Sequence, residues 1–294
     1  MGKYVVGLGE ALFDRFKKED GSVEAKLGGA PANFAYYASQ FGQKGLAVSA
    51  IGKDELAARL LAELKEAGQA NHMEVVDYPT GVVDVTVVNG SPNYEIVRGV
   101  AWDNIPFSDA LAKIAASCRA VCFGSLAQRS EVSRNTIRRF LDAVPRSCLK
   151  VFDINLRQQF YNKEILEDSF RRCDILKIND EEMVTVSHMF SIPGLDNESR
   201  CEFMMRKFRM KMIILTMGAN GSYIYYKDGI SYLKAPDVKV ADTVGAGDSF
   251  TGAFIGSLLA GKSVAAAHET AVAVSTFVCT LPGAMHPVPE KLKK

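Results

Sequence analysis

The 294-residue sequence predicts an α/β fold: a mostly parallel central sheet flanked by helices, with a small β-sheet lid. Three observations carry this. Short apolar runs alternate with helical patterns along most of the chain. Four runs from 119 onward, at 119–125, 148–155, 173–179 and 210–218, are apolar nearly throughout and end in polar residues. Strands buried on both faces of a parallel sheet read this way. Between 80 and 100 the pattern changes to alternating apolar and polar positions around NGSPN, the mark of a hairpin with one exposed face.

Taken in order, KYVVGLG opens as a strand. PANFAYYASQFG reads as a helix, with Pro31 suited to its first turn and Gly42 to its end. GLAVSAIG is a strand, and DELAARLLAELKEAG is a periodic helix closed by Gly68. After the 80–100 hairpin come the four buried strands with helical segments between them. Their ends carry Ser125, Asp153, Asn155, Asn179 and Thr216. In open α/β sheets ligands bind past the carboxyl ends of the strands, so these are candidate site positions. SYIYYKDGISYLKA is a second hairpin around Lys227, Asp228 and Gly229. Segments 248–261 and 264–279 are helical and apolar nearly all round, hence buried. With no internal repeat and no long linker, one main domain with an inserted β-lid is the simplest parse.

Composition narrows the function. Apolar residues make up 48% and charged residues 23%, values of an ordinary globular protein. The net charge is +1, so no basic field points to nucleic acid or to an anionic membrane. No run approaches the ~18 apolar residues of a membrane span, and the N-terminus lacks the features of a signal peptide. The six cysteines form no CxxC, and most lie in apolar runs. Reduced, buried thiols in a cytoplasmic protein are expected. No two histidines are spaced like zinc ligands.

The stretch ADTVGAGDSFTGAF, 241–254, holds the most chemistry. Asp248 falls in the first turn of a helix, beside the amides of Ala246, Gly247 and Asp248. The first amides of a helix lack internal partners and favour an anion. Gly245 and Gly247 permit close backbone approach. A carboxylate next to an anion site makes sense as a base that takes a proton from a hydroxyl attacking a phosphate. The competing reading is a plain helix cap.

Other segments bear on that choice. KLGGAPANFA brings Gly28, Gly29 and Asn33, suited either to a ligand pressed against backbone or to a tight turn before a helix. Asp14 in GEALFD can accept two sugar hydroxyls or serve as a surface acid. In DINLR, Arg157 can meet phosphate or substrate, or pair with a neighbouring acid. KINDEE places Asn179 and Glu182 one helical turn apart, as partners of a hydrated Mg²⁺ or as an N-cap with its acid. TMGANGS offers Thr216, Gly218 and Gly221, a nucleotide-phosphate contact or a hairpin turn. The chain has no P-loop motif, no complete dinucleotide fingerprint and no GxSxG elbow.

These segments resemble the ribokinase-like (PfkB) carbohydrate kinases. GGAPANFAYYASQFG, followed by Gly52, and DTVGAGDSFTGAFI carry most of the match; NDEE and TMGANG match the nucleotide-side motifs. The resemblance runs from Tyr4 to about Pro289. Within the family, GE-A-LFD, GGAPAN, FGSLAQRS, GVAWD and D-x-NLR are most similar to fructokinases, although DINLR stands where DPNLR is frequent.

The resemblance implies a single ribokinase-like domain over 1–294, with a lid at about 11–30 and 80–105. It implies an ATP-dependent sugar kinase converting D-fructose to fructose 6-phosphate; ribose, 2-keto-3-deoxygluconate or a nucleoside are alternative acceptors, and a non-catalytic sugar sensor is an outside alternative. It implies Asp248 as base, the 245–248 amides as anion hole and Arg157 near the transferred phosphate. Asp14, Gly28, Gly29 and Asn33 would bind the sugar. Asn179, Glu182, Thr216, Gly218 and Gly221 would face ATP, with Glu182 reaching Mg²⁺ through water. Asp242 matches one carboxylate ligand of a monovalent cation, which leaves K⁺ as an option. Lid residues 80–105 offer only Arg98 as a cation, which favours a neutral sugar. The alternate valines 83, 85 and 87 call for a cover: either a second copy, in a homodimer through the lid, or the cleft of a monomer.

Overall fold

The structure is a computed structural model that describes residues 3–17, 22–88, 91–194 and 196–293. Of the expected lid, 18–21 and the hairpin tip 89–90 lie outside the described residues, as does the side chain of Val87.

The first half of the chain forms strands β1 (Tyr4–Leu8), β2 (Leu12–Lys17), β3 (Val23–Gly28), β4 (Gly45–Ile51), β5 (Asn71–Val75), β6 (Gly81–Val88) and β7 (Ser91–Ile96). It also forms helices α1 (Ala30–Ser39), α2 (Glu55–Glu66) and α3 (Asp109–Ala116). The second half adds β8 (Cys118–Gly124), β9 (Leu149–Asp153), β10 (Ile175–Asn179), β11 (Met212–Thr216), β12 (Ser222–Tyr226) and β13 (Gly229–Leu233). Its helices are α4 (Glu131–Ala143), α5 (Lys163–Arg172), α6 (Asp180–Phe190), α7 (Asn197–Phe208), α8 (Ala246–Leu259) and α9 (Val264–Cys279).

Among the described residues the main sheet has the order β13-β12-β11-β10-β9-β8-β1-β4-β5. The strands from β11 to β5 are parallel, and β12 and β13 add an antiparallel edge. A separate small sheet has the order β3-β2-β6-β7.

Alternation along the strands assigns each side chain to a layer. Val5, Cys122, Val151, Ile175 and Ile214 pack with α1, α8 and α9 on one face. Val6, Phe123, Phe152, Leu176 and Leu215 pack with residues of α3 to α7 on the other. Both faces are therefore dry, which is why the strands read as unbroken apolar runs. The six cysteines are free, and all but Cys279 are buried. No helix among the described residues is long and apolar enough to cross a membrane.

In the small sheet, Asp14 stands opposite Val83 and Phe16 opposite Val85. Val83 and Val85 are buried in the main core, so this face is turned to the body of the molecule. Val83 and Val85 are therefore covered within one chain. Asp14 itself lies within β2. A buried ion pair ties the small sheet down: Arg129 donates to Asp103 at 2.8 and 2.9 Å and to the carbonyl of Ile96 at the end of β7. Its guanidinium stacks on Trp102 at 4.1 Å.

Helices α1 and α8 pack backbone to backbone through two glycines of α8. A Cβ on Gly252 would lie 2.6 Å from the Phe34 carbonyl and 2.7 Å from the Tyr37 Cβ; one on Gly256 would lie 2.9 Å from the Phe41 Cβ. Only the bare backbone of α8 fits this groove. Gly252→Val should therefore lower stability by about 1–3 kcal/mol through overpacking. Thermal melting checks this, and an unchanged melting temperature would contradict it.

Candidate active site

Helix α8 begins at an N-cap, Gly245, in the left-handed region with φ 76°. A Cβ there would also meet Ala284 at 2.9 Å, so glycine is required on two counts. The turn that starts the helix uses the Ala246 amide, which donates to the Thr243 carbonyl at 3.2 Å. The Ser249 amide donates back to the Gly245 carbonyl at 2.8 Å. The Gly247 and Asp248 amides have no backbone acceptor among the described residues and remain at the positive end of the α8 dipole. Two open amides thus stand where the sequence suggested three, because the turn itself consumes that of Ala246.

Asp248 does not cap its own helix. Its Oδ2 accepts a hydrogen bond from Asn33 Nδ2 at 2.8 Å, across the α1–α8 contact. Burial raises the Asp248 carboxyl to about 6; Asp153 adds to the rise, while Asn33, Lys177 and Arg157 oppose it. Helix α1 supports the site a second time through Tyr37. Its hydroxyl donates to the Ala284 carbonyl at 2.8 Å and accepts from the His286 amide at 3.1 Å. This holds the loop against which Gly245 is wedged.

A row of charges crosses the ends of β8, β9 and β10, where register aligns Gly124, Asp153 and Lys177. Lys177 Nζ is 3.2 Å from Asp153 Oδ1, both side chains being buried. A Cβ on Gly247 would lie 3.0 Å from that Nζ, so the lysine sits directly under the open amides. Burial alone pulls the Lys177 ammonium down, but Asp153, Glu182 and Asp248 outweigh it and hold it charged. Sequence reasoning passed over Lys177 as strand interior; its signal was a lysine inside an apolar run.

Asn179 and Glu182 form a reciprocal cap on α6. The Asn179 side chain accepts from the Glu182 amide at 2.7 Å, and Glu182 Oε2 accepts from the Asn179 amide at 2.9 Å. Glu182 Oε1 also accepts from the Leu156 amide at 2.8 Å, anchoring the loop that carries Arg157. Both Glu182 oxygens are thus engaged structurally, each with a lone pair left over. Burial raises its carboxyl, with Lys177 opposing.

On the small sheet, Asp14 packs on Gly28, where a Cβ would lie 2.9 Å from its Oδ2. Burial raises the Asp14 carboxyl and Arg157 opposes it. Arg157 is exposed and acts electrostatically on Asp14, Glu10 and Asp248 at once, so it overhangs the cleft between the sheets. Gly29, with φ 128°, starts α1 hard against the Glu10 carbonyl; a Cβ would lie 2.6 Å from it. Glu10 was also missed. It follows the end of β1, is 5% exposed, and lines a small cavity of about 10 Å³ with Ser125, Asp153, Asn155 and Asp248.

Asp14, Gly28, Gly29, Asn33, Arg157, Gly245, Ala246, Gly247 and Asp248 therefore gather around one cleft. Asn179 and Glu182 join it through Lys177. Thr216 lies beside Asn179 in register, and Gly218 and Gly221 shape the turn from β11 to β12. No contact among the described residues links these three to Asp248. Asp242 precedes α8; its carboxylate accepts from Val244 at 3.0 Å and Gly283 at 3.1 Å. Burial works against ionisation there, but these amides hold Asp242 below its ordinary range.

The chain matches the pfkB family carbohydrate kinase model over residues 3–291. It is 27% identical over 269 residues to a sugar kinase of Pyrococcus horikoshii, covering 87% of this chain and 82% of that one. The solved structure of that kinase with ATP superposes with TM-score 0.80 at 25% identity, covering 95% and 93% of the two chains. Fructokinase-1 of Zea mays is 28% identical over 268 residues, covering 85% and 81%. A double mutant of fructokinase from Vibrio cholerae, solved with fructose, ADP and potassium, superposes with TM-score 0.81 at 19% identity, covering 98% and 96%.

Because Glu182 accepts two main-chain amides with two separate oxygens, Glu182→Gln should replace one acceptor by a donor. A loss of about 1–3 kcal/mol is expected, read as a lowered midpoint of urea unfolding. No change would mean that the cap is dispensable.

Proposed function

The chain belongs to the pfkB family of carbohydrate kinases, and on that footing we propose that it phosphorylates D-fructose to fructose 6-phosphate at the expense of ATP, with Asp248 as general base. One observation carries the reading: a carboxylate with its pKa raised to about 6 is held by Asn33 beside two open amides at a helix N-terminus. A base poised near neutrality accepts the proton of the sugar hydroxyl as its oxygen attacks the γ-phosphorus of ATP. The Gly247 and Asp248 amides receive the charge that develops on the phosphoryl oxygens, and Lys177 beneath them strengthens that field. Arg157 overhangs the transferred group. Asp14, Gly28, Gly29 and Asn33 hold the sugar, with hydroxyls donating to Asp14.

ATP lies toward Asn179, Thr216, Gly218 and Gly221. Mg²⁺, when bound, neutralises phosphate charge. Glu182 suits contact with it through water, since its oxygens already serve two amides and Mg²⁺ keeps much of its hydration. Among the described residues no group of three or more His, Cys, Asp or Glu is placed to cage a metal. Asp242, held anionic, is the candidate neighbour of K⁺, the ion bound in the Vibrio cholerae double mutant. A neutral acceptor fits the cations nearby: Arg15 pairs with Asp84, Arg129 with Asp103, and Arg98 stacks on Phe160 at 4.8 Å. Buried, unpaired cysteines suit a cytoplasmic enzyme. Pairing of two copies through the small sheet would use its outer face, since Val83 and Val85 are covered.

ADP release with ATP and Mg²⁺ tests the reading across fructose, ribose, glucose, mannose, 2-keto-3-deoxygluconate and nucleosides. Fructose should be preferred. Activity on another sugar would replace the substrate and keep the mechanism, and silence on all would overturn the reading. Asp248→Asn should lower kcat by about 10²–10⁴-fold with sugar affinity largely kept. Only ionised Asp248 is a base, so kcat should level off about one pH unit above the carboxyl's value of about 6 and fall about tenfold per pH unit well below it. An unchanged rate at pH 5 would exclude Asp248 as the base.

A further inference from the structure

The cavity beneath Asp248 contains a group to which the proposed chemistry assigns no task. Glu10 is 5% exposed, yet its Oε2 has no hydrogen-bond partner among the described residues. It faces a small void of about 10 Å³, shared with Ser125, Asp153, Asn155 and Asp248, which has room for about one water-sized group such as a single hydroxyl. Two further buried oxygens near this space lack an aligned donor. One is Asn33 Oδ1, whose amide partner Nδ2 is spent on Asp248; the other is Asp153 Oδ1, which has only the ion pair with Lys177. Buried acceptors left without an aligned donor are costly unless something supplies one. A metal is a poor candidate, since these carboxylates form no metal-holding group among the described residues. A hydroxyl-rich ligand is a good one, because each hydroxyl both donates and accepts.

We propose that Glu10 is a specificity-determining contact for the acceptor: its Oε2 hydrogen-bonds a second hydroxyl of the sugar, distinct from the one phosphorylated, that reaches into the cavity under Asp248. The inference rests on the kinase reading and deepens it. Glu10 is well placed, because its own carbonyl is packed against Gly29 at the start of α1. Burial holds its carboxyl at about 7, with Asp248 and Asp153 adding to the rise and Arg157 opposing it. Near neutral pH it can accept from a hydroxyl when ionised or donate to one when protonated. The acceptor class is thus a polyol whose second hydroxyl lies close to the reacting carbon.

The test is steady-state kinetics of the wild type and Glu10→Gln on the sugar accepted best and on its monodeoxy analogues. In the wild type, one analogue that keeps the reactive hydroxyl should lose about tenfold or more in kcat/KM. Glu10→Gln should lose a similar factor on the parent sugar, chiefly through KM, and little more on that analogue, so the discrimination collapses. Equal losses on every acceptor, or no loss on any, would overturn the assignment and leave the cavity to water. If Glu10→Gln fails to fold, the wild-type series decides: indifference to every deoxy position other than the reactive one overturns the proposal. Absence of ADP release by the wild type with any sugar would mark failure of the kinase reading itself, separately from that of Glu10.

Discussion

The site depends on one steric constraint, the bare-backbone contact of α8 with α1. Gly252 and Gly256 let α8 settle against Phe34, Tyr37 and Phe41 at distances that no side chain would permit. That contact brings Asn33 within 2.8 Å of Asp248 across more than two hundred residues of chain. It also lets Tyr37 pin the loop at Ala284 that supports Gly245. The orientation of the carboxylate and the shape of the anion site are thus set by the packing of two helices on one face of the sheet. A hydrogen bond to a charged group contributes about 1.5–3 kcal/mol, but here its main effect is directional. It keeps Asp248 pointing into the cleft instead of folding back onto its own helix.

Charge is arranged around that geometry so that a base and an anion site coexist. Asp153 and Lys177 form a buried pair whose members press on Asp248 with opposite signs. Asp153 raises the carboxyl and Lys177 restrains it, which leaves Asp248 near neutrality instead of fully suppressed. Lys177 also lies beside Gly247, where the proposed chemistry would gather phosphate charge. Glu182 ties this row to the Arg157 loop through the Leu156 amide. A change at Glu182 therefore reaches Arg157 through the backbone without any side-chain contact between them.

Much of this was legible in the sequence, and the exceptions have physical reasons. The parallel strands announced themselves because both faces are buried, and α9 was read with its observed bounds of 264–279. GAGD displayed its local structure because glycine at an N-cap followed by an acid in the first turn is a local pattern. The edge strand β5, NHMEV, is short and half-buried on both faces, so no periodicity betrayed it. Asp14 follows β1, where the chain turns at once into the small sheet. Its role as an inward-facing lid residue comes from pairing with Val83, a contact between distant segments. Glu10 and Lys177 were missed for the same reason. Their importance lies in what tertiary packing brings to them, and a single charged residue in an apolar run carries no label for that. The valine pattern left a second copy or the same chain as the cover; for Val83 and Val85 the cover is the core of the same chain.

The central claim, that Asp248 and the two open amides of α8 flank the reacting atoms, is tested most directly by a crystal structure with ADP, aluminium fluoride and fructose. The account predicts that the fluoroaluminate accepts hydrogen bonds from the Gly247 and Asp248 amides and that a sugar oxygen lies within ~3 Å of an Asp248 carboxylate oxygen. A fluoroaluminate bound away from those amides, or an Asp248 that contacts only protein, would contradict it.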